Sequence, residues 1–162
     1  MLLARGDVKP DEPDNKSGRK PLLWAADKGH KRVAKLLLER RDVNPNQADI
    51  QYGLRPLSWA AKNGREKAVK MLLERGDVNP NQADTKYGWT PLSWAAWNGH
   101  EGVLKTLLER EVNPDQADTF YGGTPLSFAA EYGDERVVKV LLGRKDFNPN
   151  QADTKYRRTP FS

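Results

Sequence analysis

Residues 90–100 read TPLSWAAWNGH, and this stretch decides the fold because it recurs along the chain. Its central pattern, Pro-Leu followed after one residue by an aromatic residue and Ala-Ala, returns every 34 or 35 residues, at Pro21, Pro56, Pro91 and Pro125. Residues 56–90 and 91–124 are identical at 24 of 34 aligned positions. A fixed period of this length is typical of a repeat protein, in which each unit packs mainly on its neighbours.

The period divides the chain into a single domain of about four units. We expect a partial repeat with its loop, four full repeats and a truncated repeat over residues 1–20, 21–55, 56–90, 91–124, 125–159 and 160–162. Neither end carries the polar capping unit that a solenoid needs for solubility. We therefore expect uncapped ends, a fragment of a longer array or an engineered segment, and end-to-end self-stacking at high concentration.

Each unit has the signals of two short helices followed by a loop. Thr90 precedes a proline, which suits a helix N-cap and first helical position, and Gly99 suits the residue after a helix end. Apolar residues over 103–108 form the stripe of a second helix. The Asn-, Pro-, Asp- and Gly-rich stretch over 77–88 then predicts a hairpin-like finger. The predicted fold is all-α, an α-solenoid with long finger loops.

The order of these motifs resembles the ankyrin repeat across essentially the whole chain. The resemblance rests on Thr90-Pro91-Leu92-Ser93-Trp94-Ala95-Ala96, Asn98-Gly99-His100, Leu107-Leu108-Glu109 and Val112-Asn113. It implies an ankyrin-type solenoid that binds proteins without catalysis. The long, near-identical units are similar to the ankyrin arrays of fungal multidomain proteins. Lys20 and Arg55 replace the threonine in two units, which predicts a lost N-cap worth about 1 kcal/mol at each.

Composition argues against an enzyme. The chain has no cysteine and two histidines, which excludes thiolate nucleophiles and cysteine-based metal sites. His100-Glu101 begins like a zinc-protease motif, but Leu104 stands where the second histidine is needed. We expect no catalytic residue, no metal ligand and no cofactor, and we expect both histidines to bond an inter-helix turn.

One aspartate recurs in each unit, at Asp49, Asp84, Asp118 and Asp153. A catalytic pair of carboxylates needs two different environments, whereas these are copies of one environment. We interpret them as turn residues that bond nearby backbone N–H groups.

Two alternative functions remain open, and the first of them depends on charge. Lys and Arg number 27 against 22 Asp and Glu, a net charge of +5. Basic residues such as Lys31, Lys35 and Lys139 lie in the second helices, so one alternative is binding of nucleic acid or an acidic surface through the convex side. Interleaved glutamates favour a solvated, charge-mixed face instead. The other alternative is a structural spacer or designed scaffold without a ligand.

The positions whose residues differ between otherwise similar repeats predict the binding site. In ankyrin proteins similar positions line the concave face, so the resemblance implies a protein partner bound there. The candidate residues are Asp27, Lys28, Arg55, Lys62, Asn63, Lys86, Trp89, Trp97, Asn98, Phe120, Glu131 and Tyr132. Trp89 and Trp97 are expected as surface anchors, because aromatic side chains dominate interface energetics.

The repeated aromatic position is expected in the core instead; its members are Trp24, Trp59, Trp94 and Phe128. No apolar run reaches the roughly 20 residues of a membrane span. We expect no membrane partner and an intracellular location, cytoplasmic or nuclear.

Overall fold

The computed structural model describes residues 9–152 and residue 159. Within this part of the chain there are eight helices: α1 (Pro21–Lys28), α2 (Lys31–Leu38), α3 (Pro56–Lys62), α4 (Glu66–Glu74), α5 (Pro91–Trp97), α6 (Glu101–Leu108), α7 (Pro125–Glu131) and α8 (Glu135–Leu142). The predicted all-α solenoid is confirmed. None of the helices described is long and apolar enough to cross a lipid bilayer.

The helices form two layers. The first helices of successive repeats, α1, α3, α5 and α7, contact one another in order, and the second helices do the same. Aliphatic side chains such as Leu57, Leu92 and Leu126 lie fully buried between the layers. Burial of each such side chain stabilises the fold by about 1.5–3 kcal/mol. Because every repeat supplies the same positions, the core continues from one repeat to the next.

The helix starts follow the sequence signals. Thr90 Oγ1 accepts a hydrogen bond from the Ser93 N–H at 3.1 Å, and Thr124 and Ser127 bond each other reciprocally. Lys20 and Arg55 make no side-chain cap, as expected. Gly99 follows α5 with φ of 67°, the left-handed conformation that glycine adopts without strain. This confirms its predicted position just after a helix.

Each finger closes as a short hairpin before the next first helix. The Asp49 N–H donates to the Leu54 carbonyl at 3.0 Å, and the Asp84 N–H donates to the Trp89 carbonyl at 2.9 Å. Leu54 and Trp89 at the finger ends pack in one cluster with Trp59, Trp94 and Phe128 of the first helices. The fingers and first helices therefore share one side of the stack, and the second helices form the other.

Three of the four aromatic residues at the repeated position are buried, as predicted: Trp59, Trp94 and Phe128. The prediction is wrong for Trp24, whose side chain is 40% exposed. Trp24 lies on α1, which among the described first helices has a neighbour only in α3. Burial of this position needs a helix or finger on both sides.

Candidate binding site

The side of the stack formed by the fingers and the first helices is here called the finger face. A second apolar cluster lies beneath it, separate from the aliphatic core between the helix layers. Its buried members are Leu23, Leu54, Trp59, Trp89, Trp94 and Phe128, and Tyr52, Tyr87 and Trp97 pack on it half-buried. The finger face therefore rests largely on aromatic rings contributed by α3, α5, α7 and the fingers between them.

A recurring aspartate ties each finger to its helix. Asp49 Oδ1 accepts from the Tyr52 N–H at 2.7 Å, and its Oδ2 accepts from the Trp59 indole N–H at 2.7 Å. Asp84 repeats both bonds, with the Trp94 indole at 3.0 Å. The expected backbone-bonding role is confirmed for these residues, whereas the indole bond was missed. Its signal in the sequence is the constant separation of ten residues between aspartate and tryptophan.

Asp118 shows what happens where the tryptophan is replaced. Phe128 has no N–H to donate, and Asp118 Oδ2 accepts from the Gly123 backbone N–H at 2.7 Å, where the equivalent bond from Trp89 to Asp84 is 3.3 Å long. The finger keeps its shape through the backbone bonds alone. Asp153, the next member of the series, lies outside the described residues.

In the first three repeats the residue two places before the proline, Arg19, Leu54 or Trp89, fills a slot beside the aromatic ring, whereas the fourth repeat has Gly123 there. In the first repeat this residue is Arg19, whose guanidinium lies 4.6 Å from the Trp24 ring centroid and 4.0 Å from that of Trp59. Arg19 is buried, and its charge is balanced by Asp27 at 3.4 Å and Asp49 at 3.8 Å. A cation held between two rings in this way is attracted by both, by about 0.5–2 kcal/mol each.

Two lysines extend the cation and ring arrangement to the surface. Lys62 Nζ lies 4.9 Å from the Trp59 centroid and 4.4 Å from that of Trp94. Lys86 Nζ lies 4.6 Å from the Tyr52 centroid. Burial lowers the pKa of Lys62, the nearby Arg19 charge lowers it further, and surrounding aspartates oppose both effects.

In the third and fourth repeats the same region is entirely aromatic. Trp89 fills the slot, with its ring centroid 4.5 Å from both Trp94 and Phe128. Trp97 follows at 4.7 Å from Trp89, and Tyr132 lies 4.2 Å beyond Trp97. Exposure rises along this series, from 7% at Trp89 through the half-buried Trp97 to 53% at Tyr132. The series carries aromatic surface from the interior to solvent.

The candidate residues separate into three groups by burial. Six are exposed: Lys28, Lys86, Asn98, Phe120, Glu131 and Tyr132. Four are half-buried: Arg55, Lys62, Asn63 and Trp97. Two are buried: Asp27 and Trp89. The binding role of the ten accessible residues stays a prediction.

The expectation of Trp89 as a surface anchor is wrong, because its ring fills the slot between two repeats. Asp27 is buried as well, at 6% exposure, and accepts a bond from the Asn63 side-chain amide at 2.9 Å. A position whose residue differs between repeats does not belong to the repeated packing pattern. It can nevertheless be buried.

His100 bonds across a repeat boundary. Its Nε2 lies 3.0 Å from the backbone carbonyl of Lys62, at the end of α3 in the preceding repeat. The predicted structural role holds, but the partner is the preceding repeat's turn region. His30 is exposed. Residues 9–152 and 159 contain no cluster of three or more His, Asp or Glu side chains suited to a metal ion.

The second helices present a mixed face. Lys35 pairs with Glu39 at 3.9 Å, and Lys139 pairs with Glu135 at 3.3 Å. Such alternation of charge along a helix is typical of a solvated surface. A shallow groove of about 440 Å³ lies between α2 and α4, and charged and apolar side chains line it together.

Comparison with known proteins identifies the architecture. A family model described as ankyrin repeats matches three times, over residues 1–84, 42–118 and 78–153. No curated protein matches the chain. Ankyrin repeats are generally protein–protein interaction modules and are typically non-catalytic. With the matches extending over residues 1–153, the chain belongs to the ankyrin-repeat family.

Proposed function

We propose that this chain is a non-catalytic module that binds a protein partner through the finger face. The observation that carries the proposal is the aromatic series that ends in the exposed Tyr132 ring, 4.2 Å from Trp97. Tyrosine and tryptophan are enriched among the residues that dominate interface energetics. Phe120, at 61% exposure, adds a second aromatic side chain on a finger.

Rigidity of the fingers supports the same function. The Asp84 carboxylate accepts from the Tyr87 N–H at 2.7 Å, and its second oxygen joins the finger to Trp94. A surface fixed in this way before binding loses little conformational entropy when a partner docks. The exposed rings are thus presented on a preorganised support.

Affinity capture from extracts of the cells that make the protein tests the proposal. The immobilised chain is compared with a Tyr132→Ala/Phe120→Ala variant, in which both changes remove mostly exposed rings. A Lys67→Gln/Lys139→Gln variant, altered on the second helices, is the matched control. We expect a set of proteins to be retained by the wild type and the control but lost with the finger-face variant. Retention that is equal in all three samples would contradict the proposal.

The same columns test the two alternatives. Duplex or single-stranded nucleic acid that binds with a steep salt dependence, and is lost on neutralising Lys31, Lys35 and Lys139, would favour the second helices. The pairs of Lys35 and Lys139 with glutamates argue against that reading. A spacer or scaffold would retain nothing that depends on the finger face. The cytoplasmic or nuclear location stays a prediction, which microscopy of the tagged chain tests.

A further inference from the structure

The finger face changes its chemistry along the array. At the last residue of the first helix, the second repeat carries Lys62, the third Trp97 and the fourth Glu131. On the fingers, Lys86 of one repeat corresponds to Phe120 of the next. One part of the face therefore presents cations, and the part beside it presents aromatic rings and a carboxylate.

The first part of the face holds two lysines, Lys62 and Lys86. The ammonium groups of Lys62 and Lys86 lie on the same ring, at 5.7 Å and 4.6 Å from the Tyr52 centroid. Among the ion pairs of the described residues, none includes either lysine. Both ammonium groups are therefore available for an ion pair with an anionic group of a partner.

The carboxylates nearby are turned inward. Asp27, Asp49 and Asp84 are all buried, and all three act on Lys62 at a distance. Their oxygens are already occupied by donors from Asn63, Trp59 and Trp94. They moderate the charge of the lysines without covering it. What a partner meets at this part of the finger face is cationic.

Lys62 is placed to interact strongly with an outside anion. It is half-buried between rings, where the effective dielectric constant is lower than in water, so a carboxylate docked beside it gains more than at an exposed lysine. Lys86 is exposed and adds electrostatic attraction at longer range.

The cationic and aromatic parts are continuous. Lys62 Nζ lies 4.4 Å from the Trp94 ring, whose centroid is 4.5 Å from Trp89, and Trp89 contacts Trp97. Tyr132 lies next along this series. Lys62 and Trp97 are the last residues of α3 and α5, which contact each other, so a single peptide segment can reach both parts.

We propose that the finger face binds one peptide segment of its partner, with carboxylate side chains against Lys62 and Lys86 and apolar side chains against Trp97 and Tyr132. The proposal rests on the proposed function and gives it a ligand chemistry and a direction. The segment binds in one orientation, because its acidic and apolar halves each match one part of the face.

Titration calorimetry with synthetic peptides tests this inference. The first probe is a blocked peptide with a glutamate-rich half and a half that carries phenylalanine and leucine; the second has glutamine in place of every glutamate; the third has serine in place of the apolar residues. We expect the first probe to bind more tightly than the other two. Its affinity falls as salt is raised, because exposed ionic interactions are screened.

Variants of the protein assign each half of the peptide to its part of the face. Lys62→Met keeps an aliphatic side chain on the rings and removes the positive charge. Lys86→Gln removes the positive charge at an exposed site. The double variant is expected to bind the first probe about tenfold more weakly, from two partly exposed ion pairs. It should bind the glutamine probe as the wild type does. Tyr132→Ala should weaken the first probe and leave the serine probe unchanged, which completes a double-mutant cycle for each half.

Lys67→Gln on α4 is the control, since it removes the same charge from an exposed site of the second helices. Equal effects of Lys67→Gln and Lys86→Gln would overturn the proposal, because net charge alone would then explain the binding. Equal affinity of the glutamate and glutamine probes, or no binding of the first probe, would overturn it too. Capture that depends on Tyr132 and Phe120 would still stand in that case, so failure of the inference is distinguishable from failure of the proposed function. If Lys62→Met lowers stability, the affinity of the first probe is compared between the wild type and Lys86→Gln alone, because Lys86 is exposed.

Discussion

Arg19 and Trp89 occupy the same position in two different repeats, and they fill it with opposite chemistry. Arg19 lies between Trp24 and Trp59 as a buried cation, balanced by two carboxylates. Trp89 lies among Trp94, Phe128 and Trp97 as a third ring, and its indole N–H has no hydrogen-bond partner among the described residues. The comparison teaches that the residues common to the repeats form the slot, whereas the residue that fills it can differ in size and charge.

The largest effect is expected at the cationic slot. Arg19→Met keeps an aliphatic side chain between the rings but removes the cation paired with the buried Asp49, and among the described residues it leaves Asp27 paired with Lys28 alone, at 3.5 Å. Removal of one partner from a buried ion pair costs about 3–5 kcal/mol. Urea unfolding followed by tryptophan fluorescence measures the change. Arg32→Met, on the exposed side of α2, is the control. Equal losses in the two variants would show that the buried charge balance contributes little.

A pair of tryptophan substitutions sharpens the comparison within the aromatic slot. Trp94→Phe removes the donor that bonds Asp84 at 3.0 Å, and a buried acceptor that loses its partner costs about 1–3 kcal/mol. Trp89→Phe removes an indole N–H that has no partner, so the smaller ring costs less there. We expect thermal unfolding to rank Trp94→Phe as the more destabilised. The opposite rank would mean that ring volume outweighs the hydrogen bond.

A milder contrast lies along the outer edge of the fingers. The Asn46 amide donates to the Asp77 carbonyl at 2.6 Å and the Asn81 amide to the Glu111 carbonyl at 2.8 Å, but the corresponding residue of the next repeat is Asp115. Asp115 Oδ1 is buried without a partner. We expect Asp115→Asn to donate to the Asp146 carbonyl and to stabilise the fold by about 0.5–1.5 kcal/mol.

The gain in unfolding free energy from Asp115→Asn should depend on pH. Burial raises the pKa of Asp115, the charge of Asp146 raises it further, and the bond from the Asn148 N–H opposes both. A carboxyl whose pKa is higher in the folded state destabilises that state once it ionises, so the penalty develops as the pH rises from the ordinary carboxyl value through the raised one. Unfolding at pH 3 and pH 7 measures the difference. A gain as large at pH 3 as at pH 7 would rule out this electrostatic origin.

The smallest effect concerns the first and last of the second helices that the structure describes. Leu36 on α2 and Leu142 on α8 are exposed, and the sequence predicts end-to-end self-stacking at high concentration. Sedimentation velocity at increasing protein concentration should show association that Leu36→Lys reduces. Ile50→Lys, which removes an exposed apolar residue from a finger, should leave it unchanged. A monomer at every concentration would contradict stacking.

Features that depend on local signals could be predicted from the sequence. The helix starts at Thr90 and Thr124 and the turn at Gly99 follow from capping and backbone preferences that act within a few residues. The same holds for the finger aspartates, whose backbone bonds reach only the next few N–H groups.

Burial at the site could not be predicted in the same way. Trp89 is buried because the ring of Phe128 in the next repeat closes over it, and Asp27 is buried because Arg19 and Asn63 reach it from two sides. These contacts join residues of neighbouring repeats. Hydrophobic periodicity within one repeat does not report them, since the stacking distance and the tilt of each finger set them.

The packing residues are constant between repeats and the slot residues vary, and this difference also affects how such an array evolves. The aliphatic positions that meet across each repeat boundary are alike, as Leu57, Leu92 and Leu126 show, so duplication, deletion or exchange of one whole unit creates a junction of the same kind. Each such event reorders the cationic and aromatic slots while the stack stays intact. Recombination between near-identical units therefore rewrites the order of the binding groups in a single genetic step, where point substitution would need several.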